Sequence, residues 1–168
     1  IAKMAEIIGR IEAMNDYDKA TTYAVGTVHG GVFVNVVTTL CEAQVLCVAP
    51  DDELLVEVQS NMAALAGSED GVRIEVEAAL LRPVAKPHEE TMALYEHARE
   101  LASGMGRELG HCQSGGGSDG NFTGALGIAT LDGLGVGGTN AHTFNEHLLI
   151  STLVPQCRLL AGLLETLG

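Results

Sequence analysis

Residues 114–142 read SGGGSDGNFTGALGIATLDGLGVGGTNAH, and the interpretation of this stretch decides the rest of the chain. Glycine, serine, threonine and asparagine dominate it, although the segments on either side are patterned as helices. Glycine loses more backbone freedom on folding than any other residue, so its density marks a backbone that takes positive φ or approaches something closely. The stretch ends at His142, and Glu146 follows four residues on. Two short motifs fit inside it. Gly115, Gly117 and Gly120 match the dinucleotide fingerprint G-x-G-x-x-G, which requires a buried strand immediately before it. Residues 107–114, RELGHCQS, are too polar to be that strand. Gly116, Ser118 and Gly120 match the G-x-S-x-G nucleophile elbow, with Asp132 and His142 following in hydrolase order. The elbow also needs a preceding core strand, and the ten-residue step from Asp132 to His142 leaves little room for intervening elements.

Taken whole, GGGSDGNFTGALGIATLDGLG followed by GGTNAHT and Glu146 resembles the C-terminal signature of the zinc-dependent aminoacylase and carboxypeptidase family. That family includes glutamate carboxypeptidase, acetylornithine deacetylase and succinyl-diaminopimelate desuccinylase. The resemblance implies that His142 is a zinc ligand and that the backbone of Gly115, Gly116 and Gly117 lines the substrate site. It implies two zincs per intact subunit, which lower the pKa of a bridging water and polarise a scissile amide carbonyl.

Upstream, Ile1, Met4, Ile7, Ile8, Ile11 and Met14 recur at helical spacing and predict a helix over 1–15. Residues 21–28 predict a strand, and GVFVNVVTTL and EAQVLCVAP two further β-rich runs up to Pro50. Asp51 is the expected N-cap of a helix over 52–66, and residues 71–80 alternate as a strand. This order predicts an α+β domain over 1–81, one antiparallel sheet with two helices on a face. It resembles the lid, or dimerisation, domain of the same family, and implies a homodimer through residues 1–40. RPVAKPHEE, 82–90, reads as a linker. Residues 82–168 are then expected to form the C-terminal part of an α/β zinc-peptidase domain: a helix over 91–108, helical material after Asn121, GIATLDGL as a short buried strand, and a helix over 151–166.

The family's H-x-D motif, bridging aspartate and Glu-Glu pair have no counterpart here, so the chain is expected to be a fragment with no catalytic residue of its own. Asn35 is expected to reach the substrate from the lid, in a segment where the family often has N-V-V-P and then an arginine. Thr38 stands for the proline and Cys47-Val48 for the arginine. Neither Cys nor Val can grip a carboxylate as a guanidinium does, which weakens the case for a carboxylate-ended substrate. A small peptide or N-acyl amino acid is the expected substrate class. The alternative is a non-catalytic dimerisation or binding module descended from such an enzyme. His88-Glu89-Glu90 lacks H-E-x-x-H spacing and reads as a helix start; His29, His97, His111 and His147 read as structural or solvated.

The chain has 168 residues, a net charge of −13 and 46% hydrophobic residues with 4% aromatics, so an aliphatic core is expected. Such an acidic chain repels a nucleic-acid backbone or an anionic membrane. Cys41, Cys47, Cys112 and Cys157 show no C-x-x-C spacing, and reduced thiols in a cytoplasmic protein are expected.

Overall fold

The computed structural model describes residues 1–167. The chain divides into two compact units, Ile1–Val84 and Ala85–Gly168, and each is taken by itself.

In the first unit α1 (Ala2–Glu12) is followed by β1 (Thr22–Gly30) and β2 (Cys41–Val48), then α2 (Asp52–Ala63), β3 (Gly67–Glu69) and β4 (Val72–Ile74). Ile7 and Ile11, one turn apart on α1, are buried with Tyr23, Val58 and Leu65, each aliphatic side chain contributing roughly 1.5–3 kcal/mol of transfer energy. Asn15 ends the helix and starts the sheet. Its amide nitrogen donates to the carbonyls of Glu12 at 3.0 Å and Tyr23 at 3.2 Å, and its amide oxygen accepts the Tyr23 N–H at 2.8 Å. β1 and β2 pair antiparallel from Thr22↔Val48 to Gly30↔Cys41, with an irregularity between Val25 and Thr27. Asp51 caps α2 as its sequence position predicts, accepting the Leu54 N–H at 2.9 Å; a cap of this kind contributes about 1 kcal/mol.

Three expectations are corrected here. Residues 31–40, GVFVNVVTTL, are not a strand but the connection between β1 and β2. Gly31 turns out of the strand at φ +80, and β-branched residues without a neighbouring strand have nothing to express their propensity against. Residues 71–80 form a ladder only over Val72–Ile74. The expected single sheet is two separate two-stranded ladders, β1–β2 and β3–β4. β3 and β4 are joined by Asp70-Gly71, at φ 52 and 75, the residue pair that a type I′ hairpin turn favours.

The second unit contains α3 (Glu89–Gly104), α4 (Gly120–Ala125), β5 (Gly138–Thr139), β6 (His147–Leu148) and α5 (Ile150–Thr166). Ala98 and Ala102 on α3 and Leu159 and Leu163 on α5 are buried together, with Leu101, Leu109, Leu131 and Leu134 packed around them. Two alanines a turn apart leave a shallow stripe that the leucines fill. α3 stops short of the expected 108 because Gly106 takes φ +72. The Arg107 N–H then bonds the Ala102 carbonyl and the Gly106 N–H that of Ser103, both at 2.9 Å, the pairing that closes a helix on a left-handed glycine. GIATLDGL forms no ladder; Leu131 and Leu134 reach the core from irregular backbone.

Candidate functional site

β5 and β6 form a short hairpin, Gly138↔Leu148 and Thr139↔His147, whose seven-residue loop carries His142. The start of α5 anchors it. The Leu149 N–H donates to the Gly137 carbonyl at 2.8 Å, the Gly137 N–H to Thr152 Oγ1 at 2.9 Å, and Gln156 Nε2 to the Gly135 carbonyl at 2.8 Å. Arg107 in turn holds Gln156 at 2.9 Å. The strands pass so closely that a Cβ on Gly138 would lie 2.7 Å from the His147 carbonyl oxygen.

Within the loop, the Asn140 carbonyl accepts both the Thr143 hydroxyl at 2.8 Å and the Thr143 N–H at 3.2 Å. Asn140 and His142 both adopt left-handed backbone, φ 59 and 64. For a residue other than glycine this costs roughly 1–2 kcal/mol, and the conformation persists where neighbours fix it. The Glu146 carboxylate accepts the His142 N–H at 3.1 Å. His147 is fully engaged. Its Nδ1 lies 2.8 Å from the Asn145 carbonyl, which only accepts, so Nδ1 carries the proton. In the neutral ring Nε2 then accepts the Thr139 hydroxyl at 3.1 Å. Thr139, Glu146 and His147 line an open depression of about 770 Å³ beside the loop. His142 itself is exposed, and among the described residues its ring nitrogens make no hydrogen bond.

The other expected site residues lie elsewhere. Gly115, Gly116 and Gly117 form an exposed bend before α4, where the Gly116 N–H donates to Ser114 Oγ at 3.1 Å. Ser118, the would-be elbow nucleophile, is spent on local structure: its N–H donates to Asn121 Oδ1 at 2.9 Å and its hydroxyl oxygen accepts the Gly120 N–H at 3.0 Å. Asn35 sits in the exposed β1–β2 connection of the first unit.

The remaining histidines sit in local structure. His97 bonds Thr166 at 2.6 Å, His111 packs edge-on against Tyr95 at 4.7 Å, and His29 stands opposite Glu42 in the ladder. His88 pairs with Glu90 at 2.7 Å in the first turn of α3. A backbone N–H and then His88 hold the Glu90 carboxyl below its usual range.

Zinc fits these residues only in part. His142 is a suitable nitrogen ligand, but among the described residues no group of three His, Cys, Asp or Glu stands close enough to hold a metal. Structural zinc takes four protein ligands and catalytic zinc about three. Sequence reading marked His142 and Glu146 but not Thr139, whose partner lies eight residues on across the hairpin.

Comparison with known proteins bears on the same region. The model of peptidase family M20/M25/M40 matches residues 3–166. An uncharacterized protein, YqjE, of Bacillus subtilis (strain 168) is 33% identical over 98% of this chain and 43% of its own length. A tripeptidase from Staphylococcus aureus superposes with a TM-score of 0.76 at 27% identity, covering 95% of this chain and 43% of that one. The aminopeptidase PepT of Bacillus cereus gives 0.67 at 26%, covering 96% and 44%. The chain therefore spans less than half the length of these relatives.

Proposed function

The chain belongs to peptidase family M20/M25/M40, and from that premise we propose that it forms part of a metal-dependent hydrolase acting on an amide bond of a small peptide or an N-acyl amino acid. Residues 1–81 act as the lid and residues 82–168 as the C-terminal part of the catalytic domain. His142 supplies one zinc ligand. When bound, the metal contributes Lewis-acid chemistry. Gly115, Gly116 and Gly117 offer backbone N–H groups to the substrate, and Asn35 reaches it from the lid. The observation that carries this reading is the His142 loop: its backbone amide is tied down while its imidazole is left for an outside partner.

A homodimer through residues 1–40 accords with the exposure of Phe33 at 68% and Val34 at 106%. Sedimentation at high micromolar concentration should give a dimer; a monomer would count against it. The four free thiols suit a reducing cytoplasm.

The test of the proposed activity uses the protein at its native length. Zinc content and turnover of di- and tripeptides and N-acyl amino acids are measured with and without His142→Ala. Loss of about tenfold or more in metal affinity, with loss of turnover, is expected. A metal-free, inert native-length protein would support the non-catalytic module instead.

A further inference from the structure

Glu146 is doing something at the His142 loop that the reading of His142 as a ligand does not itself require. The loop's other hydrogen bonds join Asn140, Thr143, Asn145 and the Glu146 N–H, or link His147 with Asn145 and Thr139. None reaches His142. Among the described residues its backbone N–H has one acceptor, the Glu146 carboxylate at 3.1 Å, and its φ of 64 is a conformation a histidine does not keep unaided. Glu146 is fixed in turn by its own N–H, which donates to the Thr143 carbonyl at 3.1 Å.

We infer that Glu146 is a positioning residue: its carboxylate clamps the His142 amide, holds the left-handed turn, and so sets the direction in which the imidazole leaves the loop. What the clamp needs is a side-chain oxygen placed to accept the N–H, which an amide oxygen at the same reach also supplies. Partners that orient a ligand commonly set metal affinity by 10- to 100-fold, roughly, without touching the metal. The inference rests on His142 as the ligand, and it separates two roles for the carboxylate. If reach and geometry matter, glutamine substitutes and aspartate, one methylene shorter, does not. If negative charge near a cation matters, the order reverses.

The experiment compares Glu146→Gln, Glu146→Asp, Glu146→Ala and His142→Ala in the protein at its native length. Two readouts are taken: amide hydrogen exchange at residue 142 without metal, and affinity for Co²⁺ followed by its visible absorption. Glu146→Ala and Glu146→Asp should speed exchange and weaken Co²⁺ binding, each by about tenfold, while Glu146→Gln stays close to the parent in both. Unchanged exchange and affinity in Glu146→Ala would overturn the inference. So would a Glu146→Gln variant as impaired as Glu146→Ala, which would make the charge, or direct ligation, the role of Glu146. If His142→Ala retains Co²⁺ affinity, the ligand reading fails by itself, and exchange at His142 in the Glu146 variants still decides whether the clamp exists.

Discussion

Gly138 and His142 make opposite demands on the same hairpin. Gly138 is required by space, because the His147 carbonyl oxygen occupies the position a Cβ would need, at 2.7 Å. His142, the proposed zinc ligand, takes backbone geometry that glycine would adopt more readily. Gly138→Ala should therefore open the β5–β6 ladder and cost about 1–3 kcal/mol, read as faster amide exchange at residues 147 and 149; unchanged exchange would mean the ladder accommodates the Cβ without opening. At this scale the sequence was informative about identity but not contact. His142 stood out because a long glycine-rich signature ends on it. Thr139 did not, since a threonine hydroxyl on an imidazole eight residues away depends on a register that no local pattern encodes.

Among the elements, those with strong local signals were legible. α1 follows from the three- and four-residue spacing of its isoleucines, and α2 from the Asp51 cap. The runs that misled were apolar without a partner strand: residues 31–40 became a connection and 127–134 irregular backbone, because strand formation is decided by neighbours that periodicity cannot supply. The Asp70-Gly71 turn was a local signal left unread inside a run taken as continuous strand. In the second unit the α3–α5 contact carries the core. Leu159 is fully buried, at 0% exposure, against Ala98 and Ala102. Leu159→Ala should cost about 2–5 kcal/mol in chemical denaturation and detach the segment through Gln156 that holds Gly135; a change below about 1 kcal/mol would show that the cluster collapses to fill the space.

For the molecule as a whole, acid should weaken the fold through a few named carboxyls. Lys3 holds the Asp70 carboxyl below its usual range, chiefly by a hydrogen bond of 2.7 Å, and Glu90 is lowered by a backbone N–H and by His88. Both carboxyls titrate lower folded than unfolded. Their contribution is therefore complete above the unfolded values of about 4 and is lost as pH falls through the lowered folded ones. Thermal melts from pH 7 to pH 3 should show stability falling below about pH 4, less steeply in Asp70→Asn; an identical slope in that variant would remove Asp70 from the account. The central claim is the proposal that these 168 residues contribute one imidazole, His142, to a metal site; among the described residues no group of three His, Cys, Asp or Glu stands close enough to hold a metal. The direct test is calorimetric zinc titration of the 168-residue chain, run beside a hydrolysis assay on peptides and N-acyl amino acids. The account predicts no zinc binding tighter than roughly 100 μM, since affinity comes from several deprotonated ligands held together, and no metal-dependent turnover; micromolar or tighter binding with turnover would contradict it.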